Sequence, residues 1–387
     1  MNINKIRSVW AEVDLDIIAE NMREIRRITK PSAEIIAVIK ANAYGHGAAE
    51  IADVLLRNGA DRFAVAVLDE AVKLRSCGIN APILILGYTS PERAATIVDG
   101  DIATCVYHYN DALALSDEAV KQQKTVKLHI KIDSGMGRIG YQPNEESIKE
   151  ICRIAALPNV LIEGVFTHFC TADSKDKSFT NKQYESFDWV CSRLREESIK
   201  IKFCHCANSA AILELLPYHY DMVRAGIILY GMAPSDEVDI TKTNLRPAMT
   251  LKCKVTHVKE IVAGDSVSYG RKFIANSTRV IASLPLGYAD GYTRLLSCKA
   301  KVLIHGRRVP VVGNICMDQC MIDVTGIADV QVGDEVVLFG QQDSSEVTVE
   351  ELAGLLGTIN YEIVCMLSDR IPRVYIQNGE IVNIVYF

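Results

Sequence analysis

No uninterrupted run of about 18 apolar residues occurs in this chain, so a helical membrane span is not expected. The opening stretch Met1 to Trp10 has neither a long apolar core nor a small-residue cleavage site, which argues against a secretory leader. Positive charge is not in excess: 42 Lys and Arg stand against 48 Asp and Glu, a formal net charge of -6, so no nucleic-acid surface is expected. The 12 cysteines lack the grouping of a small disulfide scaffold, and residues such as Cys77, Cys105, Cys152 and Cys191 read as reduced core positions. Cys204-His205-Cys206 and Cys316-x-x-x-Cys320 lack the spaced pairs of a structural zinc site, so no metal is expected. No low-complexity linker interrupts the chain. What remains is a globular cytoplasmic protein of 387 residues, 49% hydrophobic and 23% charged, forming one large or two medium domains.

Within it, Ala37 to Gly47 reads A-V-I-K-A-N-A-Y-G-H-G and places one lysine, Lys40, at the end of an apolar run. Glu34 to Ile39 reads as a buried strand, and Ala48 to Arg57 as a helix with Ile51, Val54 and Leu55 on one face. An amine held at a strand end is partly desolvated, which favours its uncharged, nucleophilic form and suits it to a covalent link with an aldehyde. Further strand-like runs follow at Arg62 to Ala66, Pro82 to Leu86, Ile102 to Tyr107, Val126 to Asp133, Leu161 to His168, Lys202 to Asn208 and Met222 to Tyr230, with helical patterns between them. Eight parallel strands in so short a length predict an α/β fold, a (β/α)₈ TIM-type barrel over residues 1-244. From about Leu245 the pattern turns to strands separated by Gly-containing turns, with one clear helix at Val349 to Leu356, which predicts a mostly β C-terminal domain over 245-387. Near the N-terminus, Val9 to Leu15 alternates like a strand and Asp16 is placed to cap the next helix.

In such a barrel, residues at the C-terminal ends of strands line the site. Asn208-Ser209 opens a helix after the seventh strand, and Arg224-Ala225-Gly226-Ile227 ends the eighth, where glycine lets backbone approach a ligand. These features read equally as a plain helix cap and a turn, or as a phosphate cradle. The fifth strand ends in Lys131 and Asp133, followed by a Gly-x-Gly loop leading to Arg138, and the sixth ends at Thr167-His168. Lysine chemistry beside a phosphate cradle favours pyridoxal 5'-phosphate, an electron sink for carbanions.

The motifs V-I-K-A-N-A-Y-G-H-G, K-I-D-S-G-M-G-R-I-G, F-T-H-F, A-N-S-A-A, M-V-R-A-G-I-I-L-Y-G, V-S-Y-G, G-Y-A-D-G-Y and I-C-M-D-Q, in this order from residue 37 to 320, resemble those of the bacterial alanine racemases, fold-type III pyridoxal phosphate enzymes. The resemblance implies that Lys40 carries the cofactor and is one of two catalytic bases, and that Tyr269 is the other, reaching the site from the partner subunit of a homodimer with composite sites. It implies phosphate contacts from Tyr44, Ser209, Gly226 and Ile227, with Asn208 close by. Arg224 would face the pyridine nitrogen, and His168 would join Arg224 in supporting Tyr269. Arg138 would sit near the ring hydroxyl and the substrate carboxylate, which backbone at Met317 of the partner subunit completes. Tyr288 would stand at the substrate entrance, and Lys131 matches a lysine carbamylated in parts of the family.

One segment departs from the pattern. Where many members read S-Y-R, this chain has Ser368-Asp369-Arg370. An ionised Asp369 cannot donate a hydrogen bond to a phosphate and is expected to turn toward Arg370, Arg373 or water. Its smaller side chain would admit serine, so the leading reading, conversion of L-alanine and D-alanine to supply peptidoglycan, has a serine or broad small-amino-acid racemase as its alternative. A basic amino-acid decarboxylase and a non-catalytic pyridoxal phosphate carrier stand further off, the first opposed by Arg224 and the second by the added β domain.

Overall fold

The structure, a computed structural model, describes residues 6-387; residues 1-5, on which the leader expectation partly rests, lie outside the described residues. The chain opens with strand β1 (Val9–Asp14) and a helix, Leu15–Ile28, and separates into two compact units. One holds Ile18–Ala43 and Gly47–Arg246; the other holds the segment ending at Ile17, together with Tyr44–His46 and Pro247–Phe387.

The first unit is the expected barrel. Its strands are β2 (Glu34–Val38), β3 (Arg62–Val65), β4 (Ile83–Ile85), β5 (Ala103–Val106), β6 (Val126–Lys131), β7 (Val160–Phe166), β8 (Phe203–His205) and β9 (Met222–Ala225). They lie side by side in the order β8-β7-β6-β5-β4-β3-β2-β9, all pairs parallel. The ring nearly closes because Arg224 N–H donates to the Ala207 carbonyl at 3.0 Å and Cys204 N–H to the Asp221 carboxylate at 2.9 Å. Crossover helices cover it, and the Glu145–Ala155 helix shows why: Ile148, Ile151 and Ile154 are buried on one stripe, each contributing roughly 1.5–3 kcal/mol on leaving water. Asn21, on the first helix, fastens the end of the unit by donating to the Leu229 and Arg246 carbonyls and accepting from Arg246 N–H.

The second unit is mostly β. Strand β1, counted with residues 1-244 in the sequence reading, pairs antiparallel with β10 (Met249–Lys254) and parallel with a late strand, Arg373–Gln377. Its alternation announces a strand but carries no information about the partner. A smaller three-stranded sheet joins His257–Ile261, Arg279–Leu284 and Cys320–Asp323. A second helix, Asn360–Cys365, follows Val349–Leu356, where the sequence shows one clear helix. The cap of the first helix is Asp14, whose carboxylate accepts from Asp16 and Ile17 N–H, rather than Asp16; the helix starts directly at the strand end, so the residue before its first turn is the one in reach. Among the described residues no cysteine forms a disulfide; Cys105, Cys191, Cys204, Cys206, Cys253 and Cys320 are buried. Cys77 is exposed, contrary to the core reading, because it lies just past the last turn of helix Leu68–Ser76. Among the described residues no helix is long and apolar enough to cross a membrane.

Candidate active site

Lys40 follows β2 by two residues, and the backbone beyond it turns the wrong way round. Ala41, Asn42 and Ala43 have φ/ψ near 50/48, 51/48 and 55/48, and Tyr44 has φ 53, a left-handed turn built without glycine. L-residues resist that conformation by roughly 1–2 kcal/mol each. The surroundings impose it: Ala43 N–H donates to the Ile39 carbonyl, Gly47 N–H to the Asn42 carbonyl, and the Asn42 side chain accepts from Ala48 N–H. The Glu70 carboxylate accepts from Ala41 N–H at 2.6 Å with one oxygen and from Ala66 N–H at 2.7 Å with the other. Tyr230 hydroxyl donates to the Val38 carbonyl at 3.0 Å, steadying the strand that presents Lys40.

Arg224 lies beside this strand, its Cα paired with that of Ile36, and its guanidinium is buried inside the barrel. One terminal nitrogen donates to His205 Nδ1 at 2.9 Å and the His205 carbonyl at 3.1 Å; the other donates to the Thr167 and Cys206 carbonyls and meets His168 Nδ1 at 3.3 Å. Burial lowers its pKa to about 10, with Arg138 adding repulsion, so it stays a cation near neutrality. His168 is half-buried, and desolvation followed by the charges of Arg224, Arg138, Lys131 and Lys40 drives its pKa well below the usual value. It is therefore neutral, and with Nδ1 accepting from Arg224 its proton sits on Nε2.

Lys131 ends β6 and is buried, with Nζ donating to the Ile132 carbonyl at 2.6 Å and lying 5.6 Å from the centre of the Phe166 ring. Burial, reinforced by Arg224 and Arg138, brings its pKa down to about 8. Asp133 lies past the strand end and acts on the loop, accepting from Gly135 and Gly137 N–H at 3.0 Å each. Arg138, at the far end of that loop, is exposed. Among the described residues Lys131, Arg138 and Arg224 form no ion pair, and the charge of Asp133 acts on Lys131 from beyond ion-pair distance.

The expected cradle is also assembled. Asn208 caps helix Ser209–Glu214 by accepting from Ala211 N–H at 3.1 Å, and Ser209 hydroxyl accepts from Gly226 N–H at 3.0 Å. The backbone N–H groups of buried Ser209 and Ile227 find no acceptor among the described residues. Buried donors without partners are costly, and an anionic ligand would satisfy them.

In the second unit, Tyr44 is buried against Tyr361, ring centres 6.0 Å apart, and burial pushes its phenol pKa up, with Tyr361 and Cys365 adding to the shift. Tyr269 is 69% exposed on a pinned turn: Asn314 side-chain N–H donates to its carbonyl at 2.6 Å, and Ser268 hydroxyl donates to the Asn314 carbonyl. Met317 is 54% exposed and Tyr288 40% exposed. The two segments are locked together, since Tyr288 and Ala289 N–H donate to the Cys316 and Met317 carbonyls and a Cβ on Gly287 would lie 2.1 Å from the Cys316 carbonyl oxygen. Asp369 is exposed and makes no hydrogen bond or ion pair among the described residues; Arg370 pairs with Asp318 and Asp290, and Arg373 spends its donors on the carbonyls of Gly45, Leu367, Ser368 and Ile371.

Residues 13–234 match the family described as "Alanine racemase, N-terminal domain", and residues 248–375 match "Alanine racemase, C-terminal domain". The chain belongs to the alanine racemase family. Alanine racemase 1 of Clostridium acetobutylicum is 54% identical over 379 residues, covering 98% of each chain. The solved alanine racemase of Clostridium difficile 630 superposes with a TM-score of 0.95 at 45% identity, covering 98% of each chain. That of Bacillus anthracis with bound L-Ala-P gives 0.92 at 40% identity, also covering 98% of each.

Alanine racemases use pyridoxal 5'-phosphate, and the donor set here fits it: an amine at a strand end, open N–H groups for a phosphate, and three cations without carboxylate partners. Three site elements escaped the sequence reading. Glu70 sits in an ordinary helical pattern, and only the fold brings it to Ala41. His205 was weighed with its flanking cysteines as a zinc feature and instead accepts from Arg224. His129 and Glu163 carried one available signal, a polar side chain interrupting an apolar barrel strand.

Proposed function

We propose that the protein interconverts L-alanine and D-alanine with pyridoxal 5'-phosphate held at the barrel mouth, and that Lys40 and Tyr269 of the partner subunit serve as the two bases. The observation that carries this reading is Arg224, a buried cation where a decarboxylase would use an acid. When bound, the cofactor supplies an electron sink for the substrate α-carbon. A guanidinium facing the ring nitrogen donates a hydrogen bond without giving up its proton, which restrains that sink and favours reprotonation over loss of the carboxylate.

Lys40 would hold the aldehyde carbon and exchange a proton on one face of the substrate. Ser209, Gly226, Ile227 and Tyr44 would bind the phosphate, with Asn208 holding the cradle. Arg138 would meet the ring hydroxyl and the substrate carboxylate. His168, neutral with its proton on Nε2, would support the opposite base. Cofactor binding is assigned to the barrel region, residues 1-244 in the sequence division, and the β-rich region 245-387 would present Tyr269, Met317 and the entrance residue Tyr288 to a second copy. The exposure of all three side chains supports a homodimer with composite sites. Supply of D-alanine for peptidoglycan would place the protein in the cytoplasm. Lys131, with its pKa brought down by burial, keeps more uncharged amine than a surface lysine, and carbamylation would turn it into an anion beside Arg138.

Turnover of the enantiomers of alanine and serine tests the reading, together with carbon dioxide release from lysine, ornithine and diaminopimelate. Alanine conversion lost in Lys40→Ala is the expected result. Strong preference for serine would transfer the assignment to the alternative that Asp369 allows, and carbon dioxide release would refute racemisation.

A further inference from the structure

Inside the barrel, a line of buried ionisable groups runs away from Arg224 and is unused by the proposed chemistry. Arg224 lies 2.9 Å from His205 Nδ1, His205 Nε2 lies 2.9 Å from His129 Nδ1, and His129 Nε2 lies 3.1 Å from Glu163 Oε2. Glu163 is 3.0 Å from Arg62, which also pairs with Glu34. Arg224, His205, His129 and Glu163 are all buried.

The two ends dictate where the protons sit. A guanidinium only donates, so His205 Nδ1 must be bare. A neutral His205 then carries its proton on Nε2 and donates it to a bare His129 Nδ1. His129 in turn carries its proton on Nε2 and donates to the Glu163 carboxylate, which only accepts. Reversing any ring sets donor against donor. Burial, aided by Arg224 and Arg62, lowers the pKa of both imidazoles, in His129 against the opposing pull of Glu163, and a second proton on either ring would set donor against donor. For Glu163 burial opposes ionisation, but the His129 hydrogen bond and the Arg62 charge outweigh it and hold its pKa at about 2.

The backbone makes room for this line. The register between β6 and β7 shifts at Leu128/His129, and a Cβ on Gly164 would lie 2.5 Å from His129 Nδ1. Phe166 stacks on His205, ring centres 4.9 Å apart, and holds that ring in plane.

We propose that Glu163 is a positioning residue for Arg224: through His129 and His205 it fixes the acceptor that orients the guanidinium. The functional consequence rests on Arg224 facing the cofactor ring, whereas the proton arrangement does not. Selective ¹⁵N-histidine labelling of the full chain, loaded with pyridoxal 5'-phosphate, reads the tautomer of each ring. Wild type is expected to show Nε2–H with bare Nδ1 at both His129 and His205.

Glu163→Gln keeps an acceptor oxygen and should keep both tautomers, with kcat within about threefold of wild type. Glu163→Leu should mix the His129 tautomers and lower kcat about tenfold with KM changed less than about twofold, as expected for loss of an orienting partner. An Nδ1–H signal for His205 in wild type, or unchanged tautomers and kcat in Glu163→Leu, would overturn the proposal, as would equal loss in the Gln and Leu variants. If Glu163→Leu does not fold, Gly164→Ala displaces His129 without touching a charge and gives the same contrast with Glu163→Gln. Expected tautomers in a protein that does not racemise would refute the reading of Arg224 alone.

Discussion

Replacing Glu70 by alanine removes the carboxylate that holds the left-handed turn beyond Lys40. Four consecutive non-glycine residues there, Ala41 to Tyr44, have φ between 50 and 55, at a cost of roughly 1–2 kcal/mol each that neighbouring contacts must offset. Glu70 supplies two short charge-assisted bonds, 2.6 Å to Ala41 N–H and 2.7 Å to Ala66 N–H. At a partly exposed position each is worth about 1.5 kcal/mol, the low end for a bond to a charged group. The Ala66 bond steadies the neighbouring helix start, so the Lys40 turn itself loses about 1.5 kcal/mol, which corresponds to roughly tenfold easier local opening. Hydrogen-deuterium exchange read by mass spectrometry over residues 38-48 measures this directly, because the Ala43, Gly47 and Ala48 amides are bonded within the turn. Exchange should quicken about tenfold there while the far side of the barrel is unchanged. Glu70→Gln should fall between, since an amide presents one acceptor atom to two N–H groups. Exchange in Glu70→Ala within a factor of about two of wild type would show that packing, not the carboxylate, holds the turn.

Gly140→Ala should lower the thermal midpoint by an amount equivalent to about 2–3 kcal/mol, because φ is +128 and the new Cβ would stand 2.6 Å from Asp133 N and 2.8 Å from the Ile132 carbonyl carbon; an unchanged melt refutes it. Burial holds His129, His168, His205 and His219 neutral in the fold, so below their unfolded pKa near 6.5 the unfolded chain binds more protons and stability falls as pH falls; a urea midpoint that stays flat between pH 7.5 and 5.5 contradicts this. Tyr269→Phe should retain the cofactor absorbance yet incorporate solvent deuterium unequally from the two alanine enantiomers, and equal, undiminished exchange removes Tyr269 from the mechanism. Lys131, if carbamylated, should give a ¹³C carbamate signal from labelled carbon dioxide that fades as pH drops below about 8 and vanishes in Lys131→Arg; a signal that persists in the variant belongs elsewhere.

The barrel was legible because its information is local. Alternating apolar runs and amphipathic helices of fixed period can be read within a short window, and Lys40 and Asn208-Ser209 fall at element ends that such a window locates, whereas the strand read as Met222 to Tyr230 ends at Ala225, just past Arg224. Motifs then tied those ends to one family. The β-rich region was harder: Met249–Lys254 and His257–Ile261 are separate strands, yet the break between them at Val255-Thr256 carries neither glycine nor proline to mark it.

Sequence by itself determined the barrel's alternation of strands and helices, the strand-end lysine and the cap that opens the phosphate cradle, since each depends on residues close in the chain. Only the tertiary structure decided that Glu70 grips the turn after Lys40, that β1 joins the sheet of the β-rich unit, that Asp369 turns to solvent, and that His205 accepts from Arg224. Those outcomes come from pairing and desolvation between segments distant in sequence. The direction of the protons from Arg224 to Glu163 shows the reason most plainly: no one residue in the line has its protonation set alone, and it is the barrel that brings an obligate donor and an obligate acceptor to the two ends.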